Sequence, residues 1–138
     1  MFNTEIPLDK VNAMNKNTIM EQIGIEFTEI SKDYLTARMP VDHRTHQPFG
    51  ILHGGASVVL AESLGSVAST LVTNPKEEAC VGLEINANHI RSVKEGYVTG
   101  KVQALHVGRR THIWEIKIYN EEDKLVCVSR ITIAVIKK

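Results

Sequence analysis

From Gly54 to Thr73 the chain runs on apolar and small side chains, with a single charge, Glu62, near the middle. The apolar residues fall all round a helical wheel and not along one stripe, and Asn74 followed by Pro75 cannot continue a helix. A helix of this kind has to be enclosed, so the rest of the chain must wrap it. Residues 51–72 are also the one stretch that looks like a membrane span. They hold His53, Glu62, three glycines and several hydroxyl side chains, and one charge at mid-span would cost ~2.5–3.5 kcal/mol. A buried helix is the better reading.

The flanking sequence supplies the wrapper. Leu8, Val11 and Met14, then Ile19, Ile23 and Ile25, have loose helical spacing and predict one or two short amphipathic helices. "GIEFTEIS" and "DYLTARMPV" alternate around Ser31–Asp33 as a hairpin. "DHRTHQPFGILHGG", residues 42–55, forms a long polar loop broken by Pro48 and Gly50. Four strands follow the helix. Val81, Leu83, Ile85, Ala87 and His89 share one parity, as do Val98, Val102, Ala104 and His106, and then His112, Trp114, Ile116 and Ile118. "LVCVSRITIAVI" is apolar on both parities, as in a central strand or a subunit contact. A long helix swaddled in one curved antiparallel sheet is an α+β arrangement, and its unpaired edge strands favour a two-fold dimer.

At 138 residues the chain is one domain, residues 1–138. Its 16 basic and 16 acidic residues give no field that would hold a phosphate backbone, which argues against nucleic acid. Cys80 and Cys127 lie in apolar surroundings and read as reduced thiols, and the N-terminus lacks a signal-peptide pattern. A cytoplasmic protein with no membrane partner is expected.

Glu62 stands out because a solvated helix face is not normally written with Ser and Thr alone around one acid. Ser66, four residues on, puts a hydroxyl on the same face. The helix opens with "HGG", whose glycines let a ligand approach the first-turn N–H groups, able to polarise a carbonyl oxygen.

"QPFGILHGGASVVLAESLGSVAS", with "MPVDHRTHQPFG" before it and "VGLEINANHIRSVKEG" and "LHVGRR" after it, resembles the hotdog-fold acyl-CoA thioesterases. The resemblance covers about Val11 to Val135. It is strongest to the branches that hydrolyse 1,4-dihydroxy-2-naphthoyl-CoA in menaquinone synthesis and that clear misloaded aryl groups from the enterobactin carrier protein. It implies that Glu62 is the catalytic carboxylate, acting as nucleophile or as general base on water, and that burial strips it of solvent. It further implies that the Gly54 N–H polarises the thioester carbonyl, that Gln47 and His53 line the same centre, and that Ser66 steadies Glu62. His89 would reach the acyl group or the sulfur. Gly82, Arg91, Ser92, His106, Gly108 and Arg109 would bind the substrate, with Arg91 and Arg109 on CoA phosphates. Family members build each site between two subunits, Gly54 from one and Glu62 from the other, and commonly pair dimers into tetramers. No cofactor is implied, since CoA is part of the substrate.

His43 and His46 have ligand-like spacing, but no acid or cysteine near them completes a metal set. Trp114 and the methionines read as core. Two other readings keep the fold. A hotdog hydratase or dehydratase pairs its acid with a differently spaced histidine, and a non-catalytic module would bind acyl-CoA without turnover. Release of free thiol separates both from a thioesterase. A broad housekeeping or carrier-protein proofreading substrate range remains open beside the aromatic one.

Overall fold

The computed structural model describes all 138 residues. Two short helices, α1 (Leu8–Asn12) and α2 (Ile19–Gln22), are separated by a single 3-10 turn and lead into the hairpin β1 (Glu26–Ile30) and β2 (Tyr34–Pro40). The long helix α3 (Gly54–Val72) follows the polar loop. Then come β3 (Glu78–His89), β4 (Tyr97–Val107), β5 (Thr111–Tyr119) and β6 (Leu125–Lys137). All six strands form one antiparallel sheet in the order β1-β2-β4-β5-β6-β3. The sheet packs on α3, which is the hotdog arrangement.

The predicted helix, hairpin and four following strands are all present. The core lies between Leu60, Ala61, Leu64 and Ala68 of α3 and the sheet residues Leu35, Met39, Val102, Trp114, Ile116, Ile118, Ile131 and Ile133, all buried. By length and composition α3 could cross a membrane (mean hydropathy 1.4), but this side of it is spent on the sheet.

The two sheet edges are treated differently. Along β1 the N-terminal segment supplies partners: Asn12 accepts from the Phe27 N–H (2.7 Å) and donates to the Phe27 carbonyl (3.0 Å), and the Asn15 amide donates to the Ile25 carbonyl (2.9 Å). These side chains occupy backbone groups that an edge strand would otherwise leave open. The other edge, β3, is twelve residues long and has no neighbour on its outer side.

Three sequence expectations need correction. First, the strict alternation along β3 fails at a bulge between Gly82 and Glu84. The extra residue, Leu83, shifts the parity, so Gly82 faces the helix together with Ile85, Ala87 and His89, while Val81 and Leu83 are exposed. Second, a bulge between Ala104 and His106 does the same in β4. His106 pairs opposite Ile113 and is turned to the surface, away from the side of Ala104 and Trp114. Third, α3 is enclosed on one side only. Val58, Val59, Ser63 and Ser66 are half-buried and Glu62 is exposed, so the solvent exclusion expected around Glu62 is not achieved within one chain.

Candidate active site

The loop before α3 is held as a rigid scaffold. Val41 N–H donates to the Gly96 carbonyl (2.8 Å) and Leu52 N–H to the Val93 carbonyl (2.8 Å), and the Thr45 hydroxyl donates to the Pro40 carbonyl (2.7 Å). His46 Nε2 pairs with the Lys94 carbonyl (2.8 Å). Asp42 grips the Arg44 guanidinium at 2.7 Å. Hydrogen bonds from Arg44 hold the Asp42 carboxyl down at about 2. His43 and His46 therefore serve the loop's own structure or solvent and do not converge.

This scaffold delivers His53 as the N-cap of α3, with its own N–H on the Thr45 carbonyl (2.8 Å). His53 then satisfies three of the four first-turn donors. Its Nδ1 accepts from the Gly55 N–H (2.7 Å), and its carbonyl accepts from Ala56 (3.0 Å) and Ser57 (3.3 Å). An Nδ1 that accepts has its ring proton on Nε2. One donor remains. The Gly54 N–H has no acceptor in the chain, and it lies at the positive end of the helix.

That free N–H belongs to a cavity of about 300 Å³ lined by Leu52, Gly54, Ser57, His89, Arg91 and Ser92, among others. Gly54 is a glycine because His89 occupies the space a side chain would take: a Cβ there would lie 2.6 Å from His89 Nε2. The structure thus brings together four predicted residues, Gly54, His89, Arg91 and Ser92. Arg91 is steadied by donating to the Leu125 carbonyl (3.2 Å). Neither Gln47 nor His53 lines this cavity. The Gln47 amide oxygen is turned back onto the Phe49 N–H.

Glu62 and Ser66 lie elsewhere, in a second cleft of about 290 Å³ with Ile19, Met20, Val59, Ser63 and Val67. Gly82, brought inward by the β3 bulge, lies against the carboxylate, and a Cβ there would come 2.8 Å from Glu62 Oε2. The cleft is mostly apolar apart from the acid and the two serines, and α2 forms its far wall. No hydrogen bond joins Ser66 to Glu62; the Ser66 carbonyl instead accepts from the Thr70 hydroxyl (2.9 Å). A third cleft, about 480 Å³, gathers Arg109, Arg110 and Lys137 beside Glu78, while His106 rests on Gly108 at the same turn.

Eight residues of helix separate Gly54 from Glu62, a rise of ~12 Å. A carboxylate attacking a carbonyl has to come within about 3–3.5 Å of it. The Gly54 N–H and the Glu62 carboxylate of one chain moreover line separate clefts with no lining residue in common, the arrangement expected of a site shared between subunits.

Among the lining residues that the sequence reading missed are Ser57, Ile19 and Met20. Ser57 is the third residue after Gly54 on a helix, so helical spacing placed it on the same face. Ile19 and Met20 carry no signal beyond belonging to the short N-terminal helix.

The sequence matches the thioesterase superfamily over residues 49–127. It is 51% identical over 136 residues to the 1,4-dihydroxy-2-naphthoyl-CoA hydrolase of Escherichia coli, with 99% of each chain covered. It is 48% identical over 135 residues to the proofreading thioesterase EntH of Cronobacter turicensis, with 98% of each covered. The crystal structure of a mutant of thioesterase PA1618 from Pseudomonas aeruginosa superposes with a TM-score of 0.97 at 49% identity, covering 99% of both chains.

Proposed function

Since this chain belongs to the thioesterase superfamily and is a thioester hydrolase, we propose that its substrate is an aromatic acyl-CoA, such as 1,4-dihydroxy-2-naphthoyl-CoA, and that Glu62 carries the chemistry. The observation behind this reading is the single free N–H of the α3 first turn, that of Gly54, opening into the cavity of His89, Arg91 and Ser92. A thioester carbonyl oxygen seated on that donor has its carbon made electrophilic, and the same bond stabilises the oxyanion that forms on attack.

Glu62 then acts in one of two ways. As nucleophile, a carboxylate oxygen adds to the carbonyl carbon, the C–S bond breaks, CoA leaves as thiolate and water hydrolyses the mixed anhydride. As base, the carboxylate takes a proton from water, whose oxygen adds to the carbonyl carbon, and the C–S bond again breaks. Either route consumes one water and yields the free acid and CoA thiol, with no cofactor. The apolar cleft beside Glu62, walled by Ile19, Met20, Val59 and Val67, is suited to the acyl group. The basic cluster at Arg109 and Arg110 is suited to CoA phosphates.

The ~12 Å along the helix makes a second copy of the chain part of the proposal. The unpaired β3 edge, with Val81 and Leu83 exposed, and the half-open side of α3 offer apolar surface for it. Such a pairing would also exclude solvent from Glu62. The dimer is the minimum assembly, with a dimer of dimers as the fuller form. Two free cysteines, one buried, fit a reducing cytoplasm.

Similarity to EntH favours a second substrate reading, release of wrongly loaded aryl groups from a carrier protein. Both readings are tested by measuring thiol release from 1,4-dihydroxy-2-naphthoyl-CoA, benzoyl-CoA, a medium-chain acyl-CoA and an aryl-loaded carrier protein. The wild type is expected to prefer the naphthoyl ester, and Glu62→Gln to lose ~10²–10⁴ in kcat. Near wild-type hydrolysis by Glu62→Gln would remove Glu62 from the mechanism. A preference for the carrier thioester would replace the menaquinone role with the proofreading one.

A further inference from the structure

Ser57 is the one polar side chain of α3 whose burial the fold leaves unexplained. It is 1% exposed, yet its hydroxyl makes no hydrogen bond. The usual partner of a helical serine, the carbonyl four residues back, belongs to His53 and accepts only from the N–H groups of Ala56 and Ser57. Other hydroxyls on the helix do bond back in this way: Ser63 to the Val59 carbonyl (2.6 Å), Thr70 to that of Ser66 (2.9 Å) and Thr73 to that of Ser69 (3.0 Å). The Ser57 oxygen is nevertheless not sealed among the buried atoms without a partner, a condition met only by Asn15 Oδ1. Its remaining exposure is to the cavity it lines with Gly54, His89, Arg91 and Ser92.

Two polar groups of one helical turn thus lack partners, and both belong to this cavity. They are the Gly54 N–H and the Ser57 hydroxyl, three residues apart and therefore on the same face. A hydroxyl that opens only on a cavity finds its partner in what the cavity holds, water or substrate, and alanine at this position would be the better helix former. The Ser57 hydroxyl is thus available to a group that enters the cavity. We propose that Ser57 is a further catalytic residue, whose O–H donates to the thioester carbonyl oxygen beside the Gly54 N–H, completing a two-donor oxyanion site. This rests on the thioesterase reading of the same site. In the attack step the electron pair of the carbonyl π bond moves onto oxygen, and both donors strengthen as that charge grows. When the C–S bond breaks, the pair returns and both bonds relax. No proton is transferred to or from Ser57.

The test is a kcat and KM measurement on Ser57→Ala and Ser57→Cys with the preferred acyl-CoA. Cysteine keeps nearly the volume but is a weak donor. Both variants are expected to lose ~10²-fold in kcat with KM little changed, as for removal of one oxyanion donor. A Cys variant at wild-type kcat beside an impaired Ala variant would reduce Ser57 to packing and overturn the proposal. A rise in KM alone would do the same, assigning the hydroxyl to ground-state binding of another part of CoA. A second readout is the carbonyl stretch of ¹³C-labelled benzoyl-CoA bound to Glu62→Gln. Adding Ser57→Ala should move it back toward the free thioester, and an unmoved band contradicts the contact. If the wild type releases no thiol from any ester, the thioesterase reading itself fails. If it turns over and the Ser57 variants match it, only this inference fails.

Discussion

Two serines on one helix, Ser57 and Ser69, are buried alike, at 1% and 0% exposure, in opposite surroundings. Ser69 sits in a closed network. Its oxygen accepts from Trp114 Nε1 (2.7 Å) and pairs with His112 Nδ1 (2.8 Å). His112 meets Trp114 edge-on, and Phe2 stacks on the indole. Ser57, three turns earlier, has no partner and opens into a cavity beside a free N–H. Burial alone therefore does not separate a structural polar group from a functional one. The difference is whether the chain itself satisfies it.

The largest effect should come from Gly54→Pro, which removes the free N–H and nothing else the backbone uses. Proline suits the first helical position, and His53 already has the extended conformation (φ −69°, ψ 130°) that a residue before proline adopts. Steady-state kinetics should show kcat down by ~10²–10³ with the fold intact by thermal melting. Gly54→Ala, which also displaces His89 but keeps the N–H, should lose far less. If the two variants are equally impaired, the N–H is not the group that matters.

Next in size is Ser69→Ala, which strands the Trp114 N–H and His112 Nδ1 inside the core. It should cost about 1–3 kcal/mol, read as a lower melting temperature, while the folded protein retains wild-type kcat. A kcat loss without a change in melting would erase the contrast between the two serines.

The smallest effect concerns pH. Burial holds the His112 imidazole below its ordinary value, only partly offset by a backbone contact with Gly108 and the charge of Glu78, with His106 acting in the same direction as burial. The unfolded chain takes up the proton first. Stability is therefore full above the unfolded value of ~6.5 and falls as pH drops through it toward the lower folded one. Melting temperature should decline from pH 7 to pH 5, and His112→Asn should flatten that decline. An unchanged slope would mean that His112 does not titrate with unfolding.

The contrast explains what the sequence could disclose. The α3 boundaries, the hairpin around Ser31–Asp33 and the buried face of β5 follow from periodicity and from residues that stop helices, and the structure has them all. Gly54, His89, Arg91 and Ser92 came from motif resemblance and share one cavity. The inward turn of Gly82 against Glu62 was not legible, because a bulge adds one residue without marking the alternation around it. The exposure of Glu62 was missed because an all-round apolar helix was assigned to enclosure by its own sheet. Ser57 and Ser69 are indistinguishable as letters, since only the third dimension shows that Trp114 and His112 reach one of them.

The most direct test of the account is complementation between Gly54→Pro and Glu62→Gln subunits. Each variant alone should be nearly inactive. After subunit exchange, followed by native mass spectrometry, the mixture should recover about a quarter of wild-type activity, because half of the random pairs are mixed and each has one of its two shared sites intact. A mixture that has exchanged yet remains as inactive as its components would contradict a site split between the Gly54 end of one chain and the Glu62 of another.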